Sequence, residues 1–302
     1  MELRHIRYFL AVAEERNFTR AAARVGIGQP PLSQQIKDLE AEVGAQLFRR
    51  VPHGAELTTA GQAFLENVQA IPLQAEKALQ AAQRGARGEL GALRIGMTGS
   101  AIFNPAVPAA IRSFRRAYPV VDLTLEESNT TRLGTGVREG DFDAAFLRPG
   151  SVGSDGLQFR LVSEEQMVAV LPLRHPAASA QAVDLRRLRG DAFVMTPRAV
   201  GPTLFDTVVS ACRKAGFEPV LGQSAPQIGS VVTLVAAELG VSVVPASMAQ
   251  LQVNGVVYRP IEGKPPVTRL TLAYRRGETS ALVRNFIAHA VGAKVAPADG
   301  AG

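Results

Sequence analysis

The chain has 302 residues, 46% of them hydrophobic and 20% charged, too long for one domain at ~150 residues and too apolar for disorder to be the default. Its single cysteine, Cys212, excludes an intrachain disulfide, a thiolate metal cluster and a redox switch between two cysteines of one chain. The formal net charge of +6 is compatible with nucleic acid, but residues 1–60 hold eight Lys/Arg against seven Asp/Glu, so a DNA contact made there depends on where charge is placed.

In chain order, the opening MELRHIRYFL sets acids and bases among its apolar residues, unlike a signal peptide. No apolar run is long enough to cross a bilayer, so the expectation is a cytoplasmic chain without a membrane partner. Leu3, Ile6, Phe9, Leu10 and Ala13 form a helical stripe; Arg4 and Arg7 lie off it, either solvated or against phosphates. Residues 18–43 predict two helices joined by a tight turn. The first covers 19–25, with Thr19 as its cap and Ala21, Ala22 and Ala23 as strong helix formers. Gly26-Ile27-Gly28 breaks it. The second starts near Pro30-Pro31, where a missing N–H costs nothing, and Leu32, Ile36, Leu39 and Val43 make one buried stripe. Gln29, Ser33, Gln34 and Lys37 are left on the outer side. Amides pair bidentately with adenine, hydroxyls are versatile and lysine meets phosphate. This is the helix-turn-helix pattern, although a merely solvated polar face would produce it too.

Two short strands around Val51-Pro52-His53-Gly54 predict a hairpin. As a wing it would turn Arg50 and His53 toward the backbone or minor groove; an exposed turn position is an equally good reading of His53. Thr59 and Gln62 offer a capping box to a helix reaching about residue 83. Phe64, Val68, Ile71, Ala75, Ala78 and Ala82 alternate steps of four and three, a heptad seam that wants a second helix beside it. That helix belongs to a second copy, or the seam packs on its own domain. Pro72 costs ~3 kcal/mol in a helix interior and predicts a bend over 68–72. The Gly- and Arg-rich segment 83–88 marks a domain boundary.

Beyond it strands alternate with helices. Strands are predicted at 93–97, 121–126, 144–147, 167–171, 193–195, 241–244, 256–258 and 270–274, and helices at 104–118, 130–139, 203–216, 227–239 and 279–293, with a frayed tail from Ala296. Such alternation implies an α/β fold of parallel sheets with helices on both faces. Catalytic and metal-ligating constellations are missing: the four histidines are scattered, and no Walker loop, nucleophile elbow or dinucleotide fingerprint occurs. No cofactor is implied. In open α/β sheets, ligands sit at the carboxyl ends of strands. There the chain has Thr98-Gly99-Ser100, Ser128-Asn129-Thr130 and Arg148-Pro149-Gly150. These loops suit a small carboxylate, which Arg148 could bind bidentately.

The stretch from Phe18-Thr19-Arg20-Ala21-Ala22-Ala23 through Gln29-Pro30-Pro31-Leu32-Ser33-Gln34-Gln35-Ile36, Leu39-Glu40, Gly44, Leu47-Phe48-Arg49-Arg50 and Leu57-Thr58-Thr59-Ala60-Gly61 resembles the LysR-type transcriptional regulators. QPPLS is similar to the family's aromatic-degradation branch. Gly28 departs from the pattern, standing where the family has a capping serine. More weakly, Gly91-Ala92-Leu93-Arg94-Ile95-Gly96, Gly140-Asp141-Phe142-Asp143-Ala144-Ala145-Phe146, the run 234–241 and Val244-Pro245-Ala246 resemble its effector domain. The resemblance implies a winged helix-turn-helix over 1–58, a linker and dimerisation helix over 59–87, and a periplasmic-binding-protein-like effector domain over 88–302. In that domain lobe I is 90–162 plus 267–302 and lobe II is 163–266, joined by two crossover strands. It implies DNA contacts by Thr19, Arg20, Gln29, Pro30, Pro31, Ser33, Gln34, Lys37, Arg50 and His53 on an interrupted inverted repeat. It places an effector among Ser100, Thr130, Thr203 and Ile228, to which Thr98, Gly99, Arg148 and Pro202 are added as candidate contacts. Gly99 stands where relatives that bind dicarboxylates carry a serine. The resemblance further implies dimers pairing into tetramers, and contact with RNA polymerase. Against it stands an enzyme or carrier whose helical half is an oligomerisation module; a periplasmic solute receptor is disfavoured by the missing signal peptide.

Overall fold

In the computed structural model, which describes residues 1–52, 54–150 and 153–292, the first helix α1 (Leu3–Glu15) buries Ile6, Phe9, Ala11 and Val12. It belongs to the first of two units, Met1–Arg84 and Gly85–Gly302. Helix α2 (Phe18–Val25) is capped by Asn17, not by Thr19: the Asn17 side chain accepts from the Thr19 and Arg20 amides at 2.9 and 3.0 Å. Asparagine is as good a cap as threonine, so the helix starts one residue earlier than expected. Gly26 ends it in the left-handed conformation, φ 75°.

Helix α3 (Gln29–Val43) has Pro30 and Pro31 in its first turn and no side-chain cap at Gly28. Leu32, Ile36 and Leu39 are buried, whereas Val43 at the last turn is 40% exposed, so the stripe is one residue shorter than its spacing suggests. The Glu40 carboxylate accepts from the amides of Leu47 and Phe48 at 2.8 and 3.0 Å, pinning the wing to α3. The wing pairs β1 (Phe48–Val51) with β2 (Gly54–Leu57) antiparallel. Phe9 joins the elements: its ring lies 5.1 Å from that of Phe48 and 4.9 Å, edge-on, from that of Phe64.

Thr58, rather than Thr59, caps α4 (Thr59–Val68) by accepting from the Gly61 amide at 2.9 Å. A Cβ on Gly61 would sit 2.0 Å from the Leu47 carbonyl oxygen, so the helix approaches this closely only with glycine there. The helix expected over 59–83 with a bend at 68–72 is two helices, broken where the bend was expected: α4 ends at Val68 and α5 (Ile71–Ala86) begins three residues on. Pro72 thus falls in the first turn of α5, where its missing N–H is harmless. No α5 residue is buried, and Leu73 and Leu79 are 59% and 54% exposed.

The second unit carries a mixed sheet rather than the expected parallel ones. Its core is β3 (Ala92–Met97), β4 (Asp122–Glu127) and β5 (Ala144–Leu147), which are mutually parallel, with β11 (Val267–Arg275) antiparallel both to β5 and to β6 (Leu157–Pro172) on its other side. β6 pairs with β11 along its first half and with β9 (Ser242–Pro245) and β10 (Val256–Pro260) along its second. It therefore feeds two cores. Around the first, Ala144 and Phe146 face helices α7 (Ala106–Ala117) and α11 (Ala281–Gly292), while Ala145 and Leu147 face α8 (Thr130–Glu139). Around the second, Met167, Ala169 and Leu171 pack toward α9 (Pro202–Lys214) and Val170 toward α10 (Ile228–Ala236). A parallel pair, β7 (Ala192–Met195) and β8 (Val220–Ser224), completes the second core, and a short α6 (Gly99–Ile102) follows β3. The expected frayed tail lies outside the described residues.

Candidate DNA interface and effector cavity

Helix α3 buries one side and leaves Pro30, Pro31, Gln34 and Lys37 exposed on the other. Gln29 and Ser33 are half-buried, and the Gln29 amide donates to the Ser33 hydroxyl at 2.8 Å. One turn on, the Gln34 amide donates to Asp38 at 2.8 Å. These i,i+4 pairs hold the polar side chains at the helix start in an ordered row. Arg50 of the wing lies over the Phe18 ring, 5.2 Å from its centroid, and reaches the Ser33 hydroxyl at 3.4 Å. Thr19 and Arg20 are exposed in the first turn of α2, and Arg20 is turned back to Glu15, 3.5 Å away. His53 lies outside the described residues. Asn17 and Glu40 are the residues that sequence reasoning missed here. Asn17 is itself a good capping residue type, but so is Thr19 two positions on; Glu40 acts through a contact no local pattern shows.

The second unit holds a cavity of about 420 Å³. Thr98, Gly99, Ser100, Thr130, Arg148, Thr203 and Ile228 line it, brought together from five separated segments. Pro202 is not among the lining residues; it is buried at the start of α9, while its neighbours Gly201 and Thr203 face the cavity. Glu127, Ser128, Asn129, Thr196 and Gln227 complete its polar lining. The starts of α9 and α10 meet the cavity without side-chain caps, and uncapped helix starts favour anions. Thr98 Oγ1, on a residue only 8% exposed, has no hydrogen-bond partner among the described residues.

Arg148 is not free to fork onto a carboxylate. It is 2% exposed, and its Nε donates to Ser100 Oγ at 3.2 Å, Nη1 to Thr268 Oγ1 at 3.2 Å and Nη2 to Glu165 Oε1 at 2.7 Å. The Ser247 amide and the Asn104 side chain also donate to the Glu165 carboxylate, at 2.9 and 3.0 Å. Burial lowers the Arg148 pKa, with Glu165 acting against it. Burial likewise pushes Glu165 up, but the charge and hydrogen bond of Arg148, aided by Ser247, outweigh this and hold its carboxyl below the ordinary value. Paired with Glu165 in this way, the Arg148 guanidinium also holds the Ser100 hydroxyl. Across the cavity edge, the Thr203 hydroxyl donates to the Arg148 carbonyl at 3.1 Å and contacts that of Pro149. α9 of the second core thereby touches the loop after β5 of the first. Among the described residues no group of side chains has the arrangement to hold a metal ion.

A winged helix-turn-helix followed by a two-core α/β cavity is the build of a ligand-responsive transcription factor. The family described as "Bacterial regulatory helix-turn-helix protein, lysR family" matches residues 3–62, and "LysR substrate binding domain" matches residues 86–294. The chain belongs to the LysR family of transcriptional regulators. It is 38% identical over 287 residues to the HTH-type transcriptional regulator BudR of Raoultella terrigena, covering 95% of this chain and 99% of that protein. It is 36% identical over 287 residues to AlsR of Bacillus subtilis (strain 168), covering 95% and 94%. The crystal structure of full-length CbnR complexed with its target DNA matches with TM-score 0.84 at 26% identity, over 97% of this chain and 99% of that one. The first unit is the DNA-binding part and the second the effector-binding part of a regulator, not of an enzyme.

Proposed function

We propose that this regulator binds an interrupted inverted repeat through two α3 helices, set into successive major grooves about 34 Å apart. Gln29, Pro30, Pro31, Ser33 and Gln34 read base edges and thymine methyls, and Lys37, Arg50 and His53, with Thr19 and Arg20, meet phosphates. The observation that carries this reading is the two-sidedness of α3: Leu32, Ile36 and Leu39 close the core while Pro30, Pro31, Gln34 and Lys37 face outward. The DNA-bound CbnR structure supports it by likeness.

Residues 1–58 are the DNA-binding domain, 59–87 the linker and 88–302 the effector domain, its lobes divided near residues 162 and 266. The α5 part of the seam, Ile71, Ala75, Ala78 and Ala82, none of it buried, pairs with the same helix of a second copy; dimers pair into tetramers in the cytoplasm. The effector is a small carboxylate. Uncapped helix starts, the unpartnered Thr98 hydroxyl and Ser100, Thr130 and Thr203 around one cavity support this, with Pro202 shaping the start of α9. Arg148 acts by holding Ser100. An effector seated beside the Thr203–Arg148 contact would bias the arrangement of the two cores, and hence dimer spacing, DNA bend and contact with RNA polymerase.

The test is sedimentation of the full chain together with a gel shift on its own upstream region. A dimer or larger species that prefers that fragment to random DNA is expected. A monomer that ignores both at low ionic strength would overturn the reading.

A further inference from the structure

The cavity contains one feature that a plain carboxylate site would not need. Glu127 ends β4, lines the cavity and is exposed, with no hydrogen-bond or ion-pair partner among the described residues. Its neighbour Glu126 is the one near Arg132, at 3.6 Å. A Cβ added to Gly99 would lie 2.7 Å from Glu127 Oε1, so with glycine here the carboxylate lies close over the backbone, and a side chain at 99 would make it turn aside. Arg148 does not balance it, because Glu165 already matches that charge. Glu127 is therefore the uncompensated side-chain charge of a cavity whose helix starts and buried, unpartnered Thr98 hydroxyl otherwise suit an anion.

These two characters fit one kind of molecule. A second carboxylate beside Glu127 would meet like charge, which lowers affinity even where solvent screens it in part; an ammonium or hydroxyl there would form a charge-assisted hydrogen bond. We propose that the effector is a small carboxylic acid with a hydrogen-bond donor, ammonium or hydroxyl, away from its carboxylate, and that Glu127 accepts this donor and excludes dicarboxylates. This deepens the carboxylate reading above and rests on it.

The experiment is titration calorimetry on the full chain with two matched series. One is butyrate, γ-aminobutyrate, γ-hydroxybutyrate and succinate; the other is benzoate, its para-aminomethyl and para-hydroxymethyl derivatives, and terephthalate. Wild type is expected to bind a donor-bearing acid more tightly than its parent, and the dicarboxylate most weakly, with a spread of roughly tenfold or more. Whether ammonium or hydroxyl leads identifies the donor. Glu127→Gln, an isosteric change at an exposed position, should shrink that spread, and Gly99→Ala, which crowds the carboxylate, should weaken the donor-bearing acid. If carboxylates bind but the dicarboxylate equals the donor-bearing acid, or the spread survives Glu127→Gln, the Glu127 assignment falls and the carboxylate reading stands. If none of the acids binds either protein, both fall together.

Discussion

The two binding regions are built in opposite ways. The proposed DNA face is one helix with its neighbouring wing: its residues are close in sequence, and its polar row is what the core leaves outside. The proposed effector cavity collects side chains from residues 98–100, 127–130, 148, 196–204 and 226–228, and its buried arginine is held by Glu165 and Thr268 from still other strands. The first region depends on a sound hydrophobic core behind one helix, the second on a buried ionic network. The regions should therefore fail separately and for different reasons.

The largest effects separate these two foundations. Phe9→Ala removes the ring shared by Phe48 and Phe64, and should destabilise the first unit by ~3–5 kcal/mol. Glu165→Ala strands Arg148 without its partner, and should destabilise the second by ~3–5 kcal/mol. Differential scanning calorimetry should show each variant shifting a different transition; one shared transition shifting alike in both would break the comparison. pH sharpens it. The Glu165 carboxyl sits below its ordinary value in the folded chain, so its contribution is present above pH 4.5 and is lost as pH falls through the lower folded value. In acid the second unit should lose this contribution, and Glu165→Ala should remove that part of its pH dependence.

Smaller effects belong to the DNA face. Gln34→Ala should cost ~1–3 kcal/mol on the specific site and relax sequence choice there. Arg50→Ala should weaken specific and random DNA alike and reduce the salt slope by about one. Equal losses on both DNAs for Gln34→Ala would count against base reading by that residue. The smallest expected effect is chemical. Burial pushes the Cys212 thiol up to about 11, so iodoacetamide should label it only after denaturation. Because the folded pKa is the higher one, the stability this thiol contributes is lost as pH rises from its ordinary value of 9.0 toward 11.

Periodicity made much of this molecule readable in advance. Leu32, Ile36 and Leu39 declared a helix with one buried side, Gly26 its turn, and Pro72 the interruption between α4 and α5. The mistakes were of short range: Asn17 and Thr58 cap where Thr19 and Thr59 were expected, because a cap is chosen by where the first turn begins and several good candidates stood side by side. The first half of β6 was missed because QFRLVSEEQ carries charges on residues unfavourable to strands; pairing with β11 along its length makes it one. β8 was missed because all five of its residues are exposed and leave no apolar pattern.

By itself the sequence determined the helix-turn-helix, the outward row from Gln29 to Lys37, the family and the loops from which the cavity is drawn. All of these depend on residues a few positions apart, where backbone geometry alone sets which side chains share a face. Tertiary structure decided that Arg148 would be bound to Glu165 and Thr268 rather than left for a ligand, that the sheet would be mixed, and that Glu127 would reach over Gly99 into the cavity. Those outcomes rest on contacts between distant segments, and a buried charge takes whichever partner the packed chain brings to it.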